Sequence, residues 1–390
     1  MKLLSTFFAF FLVCAAHAAV PLTDGSVEVV QSVPIETTLE VPGIRLTQDV
    51  WVEMISAAQR TIDLEEFYVN NEAGQSLEPV LDAIRAAAAR GVQVRLIVDA
   101  GFYKTYPDVP NEFAQIQNMQ VKTIDFSSLG GIQHSKYFVI DQSQTFLGSA
   151  NLDWLALTHI HEVGLKIDNS DISASLESVF EKDWQAATSL GQNSTFVDNA
   201  SNLRFFTPAD LDIGANSMNL VASPQSDDPD GVSDSLTAVT QLMGSARNSL
   251  KLQVYEFDTS IYKSAQHWMV LDQAVRAAAA RGVQVQILVD KAALKAGKKD
   301  LEALATVQNI QVKIVTVPLW SGGVIPYSRL VHSKYFVVDG TSGWVGTENW
   351  EQTYFTGSRN VGLVLNSADT AGKLGQIFDQ VWASDYLSAP

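Results

Sequence analysis

The sequence predicts an α/β protein built from two similar lobes, each a mixed β-sheet flanked by helices. The lobes face each other across a pseudo-twofold axis and share one active site. Three observations carry this expectation. Arg85-Ala86-Ala87-Ala88-Ala89-Arg90-Gly91-Val92-Gln93-Val94 recurs letter for letter from Arg276 to Val285. Gln133-His134-Ser135-Lys136-Tyr137-Phe138-Val139-Ile140-Asp141, followed by Gly148-Ser149-Ala150-Asn151, reappears at identical spacing as Val331-His332-Ser333-Lys334-Tyr335-Phe336-Val337-Val338-Asp339 and Gly346-Thr347-Glu348-Asn349. The repeat interval is near half of the 390 residues, which argues for two facing lobes and against a solenoid.

In chain order, Lys2, the apolar run Leu3 to Cys14 and the small-residue site Ala16-His17-Ala18 read as a cleavable signal peptide over residues 1–18. An exported chain follows, secreted or periplasmic, or in a lysosomal or vacuolar lumen in a eukaryote. No later stretch approaches the roughly 20 apolar residues of a membrane span. Cleavage removes Cys14, the only cysteine, so disulfides and cysteine catalysis are excluded from the mature chain. It also removes Lys2, taking the formal charge from −17 to −18. Such a surplus disfavours a lasting complex with polyanions or anionic membranes.

Thr47 to Arg60 has helical spacing, with Val50, Met54 and Ala57 on one side, and Thr61 to Val69 reads as a strand. Glu78 to Arg90 is an alanine-rich helix stopped by Gly91, and Val92 to Val98 is the buried strand that follows a crossover helix. A short helix near Asn111 to Gln117 and a strand Met119 to Ile124 lead into the signature hairpin. Strand Val163 to Ile167 and helix Ser173 to Ala187 close the first lobe, 19–190. Residues 191–202, rich in Gly, Asn and Ser, read as a linker with sequons at Asn193 and Asn199, and residues 203–390 repeat the order.

Within each signature, His and Lys two apart share one face of a strand, since side chains alternate with period two. Asp141-Gln142-Ser143 and Asp339-Gly340-Thr341 read as hairpin turns, so Asp141 and Asp339 serve either the site or their own turn. Two histidines brought together across an interface can divide labour, one imidazole attacking phosphorus and the other protonating the departing oxygen. Lys136, Lys334, Asn151 and Asn349 can surround the non-bridging oxygens. No metal or other cofactor is needed, because the His and Lys pairs offer no carboxylate cluster and a protonated lysine competes with a cation. Arg329 and Arg359 could add positive charge near the scissile phosphate. Trp154, Trp350, Tyr354 and Phe355 could stack bases or cover an acyl chain, with core packing expected for at least half of them. His159, His161 and His267 read as structural.

The doubled His-x-Lys-x(4)-Asp pattern resembles the signature of the phospholipase D superfamily, whose members assemble one site from two such copies. Leu147 to Trp154, Ile325 to Lys334 and the lead-in Val29 to Pro34 look like the lysosomal phospholipase-D-like branch. The resemblance implies two phospholipase-D-type lobes, a phosphohistidine intermediate, and supporting roles for Ser149 and Thr347. It also implies an acid, Glu162, that fixes a catalytic histidine's tautomer. Asn360 stands at the matching place in the second half, and this asymmetry points to His134 as the nucleophile. The branch implies 5′-exonuclease action on single-stranded nucleic acid, or phospholipase D and transphosphatidylase action on phospholipid head groups. A catalytically dead binding protein of the same fold is the remaining expectation, against which both intact signatures argue. Loops such as Asp99 to Asn111 and Lys291 to Asp300 are expected to set substrate choice, and nothing in the sequence sets the oligomeric state.

Overall fold

The computed structural model describes residues 20–21, 26–191 and 216–390. The expected signal peptide, most of the 191–202 linker and both sequons lie outside the described residues.

Two ten-stranded mixed sheets repeat one plan. The first runs Thr188–Ser189, Met119–Ile124, Gln93–Asp99, Thr61–Glu66, Lys136–Ile140, Gln144–Gly148, Ile160–Asp168, Val27–Ser32, Arg45–Leu46, with Leu330–Val331 from the second half of the chain as its tenth strand, paired off this path with Ile160–Asp168. In the second, Ser249–Val254 lies between the parallel strand Gln284–Asp290 and the signature hairpin Tyr335–Val338 and Ser342–Gly346, and Asn360–Asn366 and Ser217–Ser223 follow. Val20–Pro21 does not stay with the first lobe. It pairs with Ser217–Ser223 of the second sheet.

The crossover helices Glu78–Ala89 and Val270–Ala280 form for the reasons the sequence offers. Their alanines have the highest helix propensity, and the chain turns at Gly91 and Gly282, whose φ of +97° and +94° favour glycine. Val80, Leu81, Ile84 and Ala87 point one way at helical spacing and are buried against the outer face of the first sheet. The second lobe repeats this with Leu271, Val275, Ala278 and Ala279.

A third core joins the lobes. Val139, Leu147 and Leu165 of the first sheet and Val337, Val345 and Leu363 of the second are buried with helices Ser170–Ala186 and Ala368–Trp382 between the layers. Each lobe's inner face is therefore the other lobe's core. A site on the line where they meet is held from both sides.

The signature hairpins turn through two residues of positive φ, Asp141 at +52° and Gln142 at +57° in one, Asp339 at +52° and Gly340 at +69° in the other. This is the turn whose twist suits paired strands. The Asp carboxylates do more than close the turn. Asp141 accepts from the backbone N–H of Gln59, Arg60 and Thr61, and Asp339 from those of Arg247, Asn248 and Ser249. Each anchors the start of the neighbouring strand, at the hairpin end away from the histidine. Asp339→Ala is accordingly expected to lower stability by about 1–2 kcal/mol, read as a shift in denaturation midpoint, while turnover per folded molecule is kept. Loss of turnover without loss of stability would place the Asp in the chemistry.

Candidate active site

His134 and His332 precede their strands and are held by the opposite lobe. His332 N–H donates to the His161 carbonyl (2.9 Å) and His134 N–H to that of Arg359 (2.9 Å). Val331 pairs in parallel with His161, and Gln133 with Arg359, so the two crossings match. At the second crossing the backbones approach so closely that a Cβ on Gly131 would run into the Gly357 backbone and one on Gly357 into the Leu129 carbonyl. Asp99 and Asp290 complete the hold. Each caps its own following turn with one carboxylate oxygen, and with the other accepts from the residue before the histidine, Gln133 N–H (3.0 Å) and Val331 N–H (2.8 Å).

The ring nitrogens are bonded across the axis too. His332 Nδ1 lies 2.9 Å from Glu162 Oε1, and His134 Nδ1 lies 3.0 Å from Asn360 Oδ1. This corrects the expectation that Glu162 serves His134. The strand carrying Glu162 starts on the pseudo-axis, where it meets Leu330–Val331 of the other lobe, so its carboxylate faces His332. The ground for taking His134 as nucleophile therefore passes to His332. Ser149 and Thr347 stand behind this pair. Ser149 Oγ accepts from Val163 N–H beside Glu162, and Thr347 Oγ1 accepts from Val361 N–H and donates to Asn360 Oδ1 (3.0 Å).

Lys136 and Lys334 are fully buried, and each donates to the carbonyl of its own histidine at 2.6 Å. Their rings of contact match as well, Lys136 over Phe67 and Lys334 over Tyr255, the same aromatics that stand edge-on to His134 and His332 at 4.9 Å. Burial pushes the Lys334 ammonium down to about 7 against the pull of Glu162, Glu256 and Glu348. Burial, then the two lysines, holds both imidazoles well below their ordinary range. Burial pushes Glu162 up to about 7 against Lys334 and Lys136. The four signature groups thus share one field.

Asn151 and Asn349 are buried beside them. Asn151 Nδ2 donates to the Tyr68 hydroxyl and Asn349 Nδ2 to Glu256, both at 3.3 Å. Of the four aromatics after them, Trp154, Trp350 and Phe355 are core, while Tyr354 packs edge-on to His134 at 4.7 Å. His159 lies between Trp154 and Trp320, His161 is buried beside Gln253, and His267 meets Thr259. Both arginines are buried. Arg359 is fully buried and spent on Asp183, Asp227 and Asp228, and Arg329 is buried and donates to the carbonyls of Pro318 and Ile35.

Several participants escaped the sequence reading. Asp99 and Asp290 end the same strand in both copies, a repeat that could have found them. Glu348, buried near both lysines, has Ala150 as its counterpart, and so no repeat marks it. Among the described residues, no group of three or more His, Cys, Asp or Glu side chains could hold a metal ion.

Two histidines, each oriented at Nδ1 from the far lobe and flanked by a buried lysine, stand where two lobes of one plan meet, an arrangement that can carry out phosphoryl transfer. The chain belongs to the phospholipase D superfamily: the family model "Cardiolipin synthase, PLD-like domain" matches residues 51–184 and 239–382, one match per lobe. It is 31% identical to Phospholipase D Z of Dictyostelium discoideum, over 93% of this chain and 90% of that protein. It is 30% identical to the human 5'-3' exonuclease PLD3, over 87% of this chain and 75% of that protein. The fold matches the crystal structure of phosphatidylserine synthase from Haemophilus influenzae at a TM-score of 0.67, with 13% identity over 95% of this chain and 89% of that one. The protein is a phosphodiesterase of this superfamily. Among the described residues no helix is long and apolar enough to cross a membrane.

Proposed function

We propose that the protein is an exported, metal-independent phosphodiesterase that works through a phosphohistidine and releases nucleotides from the 5′ end of single-stranded nucleic acid. Residues 1–18 act as the export signal, and 191–202 link the lobes 19–190 and 203–390. The observation that carries the chemistry is the unequal support of the two rings, a carboxylate behind His332 and an amide behind His134.

With Nδ1–H donated to Glu162, His332 keeps the Nε2 lone pair for phosphorus, and the carboxylate stabilises the positive charge that grows on the ring during attack. The P–Nε2 bond forms as the P–O bond to the leaving group breaks. The departing oxygen takes a proton from His134, whose neutral partner Asn360 leaves it the stronger acid of the two. Burial, then the two lysines, keeps His134 neutral in the free protein, and an anionic phosphodiester that enters offsets the lysines and favours the protonated ring. Water then attacks phosphorus, gives its proton to His134 and frees His332. Lys136, Lys334, Asn151 and Asn349 surround the non-bridging oxygens throughout.

This assignment has a pH signature. Above about 7 Lys334 loses its cation, and below about 7 Glu162 gains a proton and no longer supports the imidazolium. kcat/KM should therefore fall on both sides of neutrality. Lys334→Arg, whose guanidinium stays charged, should move only the alkaline limb upward. A profile that rises steadily through alkaline pH would contradict these roles.

The nucleic-acid reading is supported by the relatives named as 5'-3' exonucleases and by the aromatic rings beside His134. The acidic net charge argues against long attachment to a polynucleotide, and an end-acting enzyme needs only brief contact. The second reading, phospholipase D or transphosphatidylase, is favoured by the similarity to Phospholipase D Z. A substrate panel run in chelator separates them. The expected result is stepwise release from the 5′ end of single-stranded oligonucleotides, sensitive to salt and faster than head-group release from phosphatidylcholine micelles. Turnover of lipid alone, with added alcohol capturing the phosphatidyl group, would replace the first reading by the second. Loss in chelator restored by a divalent ion would overturn the metal-independent scheme.

A further inference from the structure

The repeat sets Tyr68 and Glu256 at matching points, each two residues past its strand, Thr61–Glu66 in one lobe and Ser249–Val254 in the other. The two residues share no chemistry except the ability to accept a hydrogen bond, and both accept one from a signature amide. Asn151 Nδ2 donates to the Tyr68 hydroxyl and Asn349 Nδ2 to Glu256 Oε2, each at 3.3 Å.

A primary amide turned over exchanges its donor end for its acceptor end. Neither partner permits the turn. The Tyr68 hydroxyl has one proton and gives it to Asp153 Oδ2 (2.9 Å), so toward Asn151 it can only accept. Asp153 is itself fixed, because its other oxygen accepts from Leu155 N–H (2.9 Å) and Asn70 Nδ2 (3.2 Å). Burial, then the Asp153 carboxylate, holds the Tyr68 phenol well above its ordinary range, so the proton stays where it is. In the second lobe burial pushes the Glu256 carboxyl up against the pull of Lys334, and in its ionised form it has no proton to give. A phenol in one lobe and a carboxylate in the other therefore impose the same direction on the two amides.

That direction leaves two acceptors unpaired. Asn151 Oδ1 and Asn349 Oδ1 are both buried, and among the described residues neither has a hydrogen-bond partner. A buried acceptor without a partner opposes folding, so stability does not account for an arrangement that occurs in both lobes.

We propose that Tyr68, with Asp153 behind it, and Glu256 are positioning residues that keep the Asn151 and Asn349 amides from turning over, so that each meets the phosphate as a donor. The inference rests on the reading of both asparagines as donors to the non-bridging oxygens, and it names what aims them. A turned amide would set its carbonyl where an N–H stood, and a carbonyl beside a phosphate oxygen repels it as charge develops.

kcat and KM are measured for the full chain at neutral pH on a p-nitrophenyl phosphodiester, a probe that serves either substrate reading. Asn151→Ala should lower kcat about 10²–10³-fold, the loss that follows removal of one donor to a developing anion. Tyr68→Phe deletes a single oxygen and frees the amide to turn, and should lower kcat about tenfold with KM little changed. Added to Asn151→Ala it should cost nothing more, because no amide is left to aim. Glu256→Leu should behave alike, with a loss of about tenfold alone and none on top of Asn349→Ala. A residue that only supports the fold would lower stability without this coupling. Tyr68→Phe leaves Asp153 without its phenol donor, so its denaturation midpoint is measured alongside. Glu256 is half-buried, and should Tyr68→Phe fail to fold, the Glu256 pair decides by the same criterion. Losses that multiply in either pair, or a folded Tyr68→Phe protein of parental kcat, would overturn the inference and leave the asparagines in their role. If Asn151→Ala and Asn349→Ala are as active as the parent, the donor reading fails and the aiming of the amides with it.

Discussion

The His332→Ala protein is expected to form no phosphoryl adduct and to lose turnover by a factor on the order of 10⁴–10⁶, the scale seen when a covalent nucleophile is removed. His134→Ala should differ in kind. It lacks the proton donor and keeps the nucleophile, so its loss should depend on the leaving group, about 10²–10⁴-fold for an alkoxide and far less for p-nitrophenolate. The reason lies in the crossed hydrogen bonds. Glu162 Oε1 stands behind His332 Nδ1 and Asn360 Oδ1 behind His134 Nδ1, so only one ring has an anion to stabilise its charged state. Turnover of p-nitrophenyl phosphodiesters and alkyl phosphodiesters by both variants checks this. Equal, leaving-group-independent losses would mean that the rings do not divide the work as described.

Glu162→Gln should lower kcat by about 10²–10⁴-fold with little change in KM, because an amide of the same size can offer Nδ1 a donor and so hold the wrong tautomer. The buried site gives the amide nowhere else to turn: Glu162 is fully buried, as are Ser149 and Thr347 behind the two partners. Asn360→Asp should act in the opposite sense on His134, raising its pKa and weakening it as an acid, and so should cost most with poor leaving groups. A Glu162→Gln protein of near-parental kcat would remove the carboxylate from the mechanism.

Much of this fold can be read from the chain because the chain repeats. The strands Lys136–Ile140 and Gln144–Gly148 and the turn between them follow from period-two patterning and from Asp at positive φ, and the second copy confirms the register. The crossover helix and its glycine stop are legible for the same reason. Pairing across the axis is not. Glu162 follows the first signature in sequence and serves the second, because adjacency along a strand does not say which lobe its starting edge meets. Arg359 reads as a phosphate ligand only while Asp183, Asp227 and Asp228 are distant letters; folding brings all three onto one guanidinium. The signature aspartates show the reverse case, motif residues whose carboxylates bind backbone amides of the adjoining segment.

If one site made by two lobes works through His332 as the covalent residue, then mixing the unaltered protein with phosphorus-labelled substrate, quenching within a turnover under conditions that keep phosphohistidine intact, and locating the label should find a single phosphoryl group per chain, on the peptide that contains His332. Label on His134, label shared between both histidines, or no adduct under single-turnover trapping would contradict it.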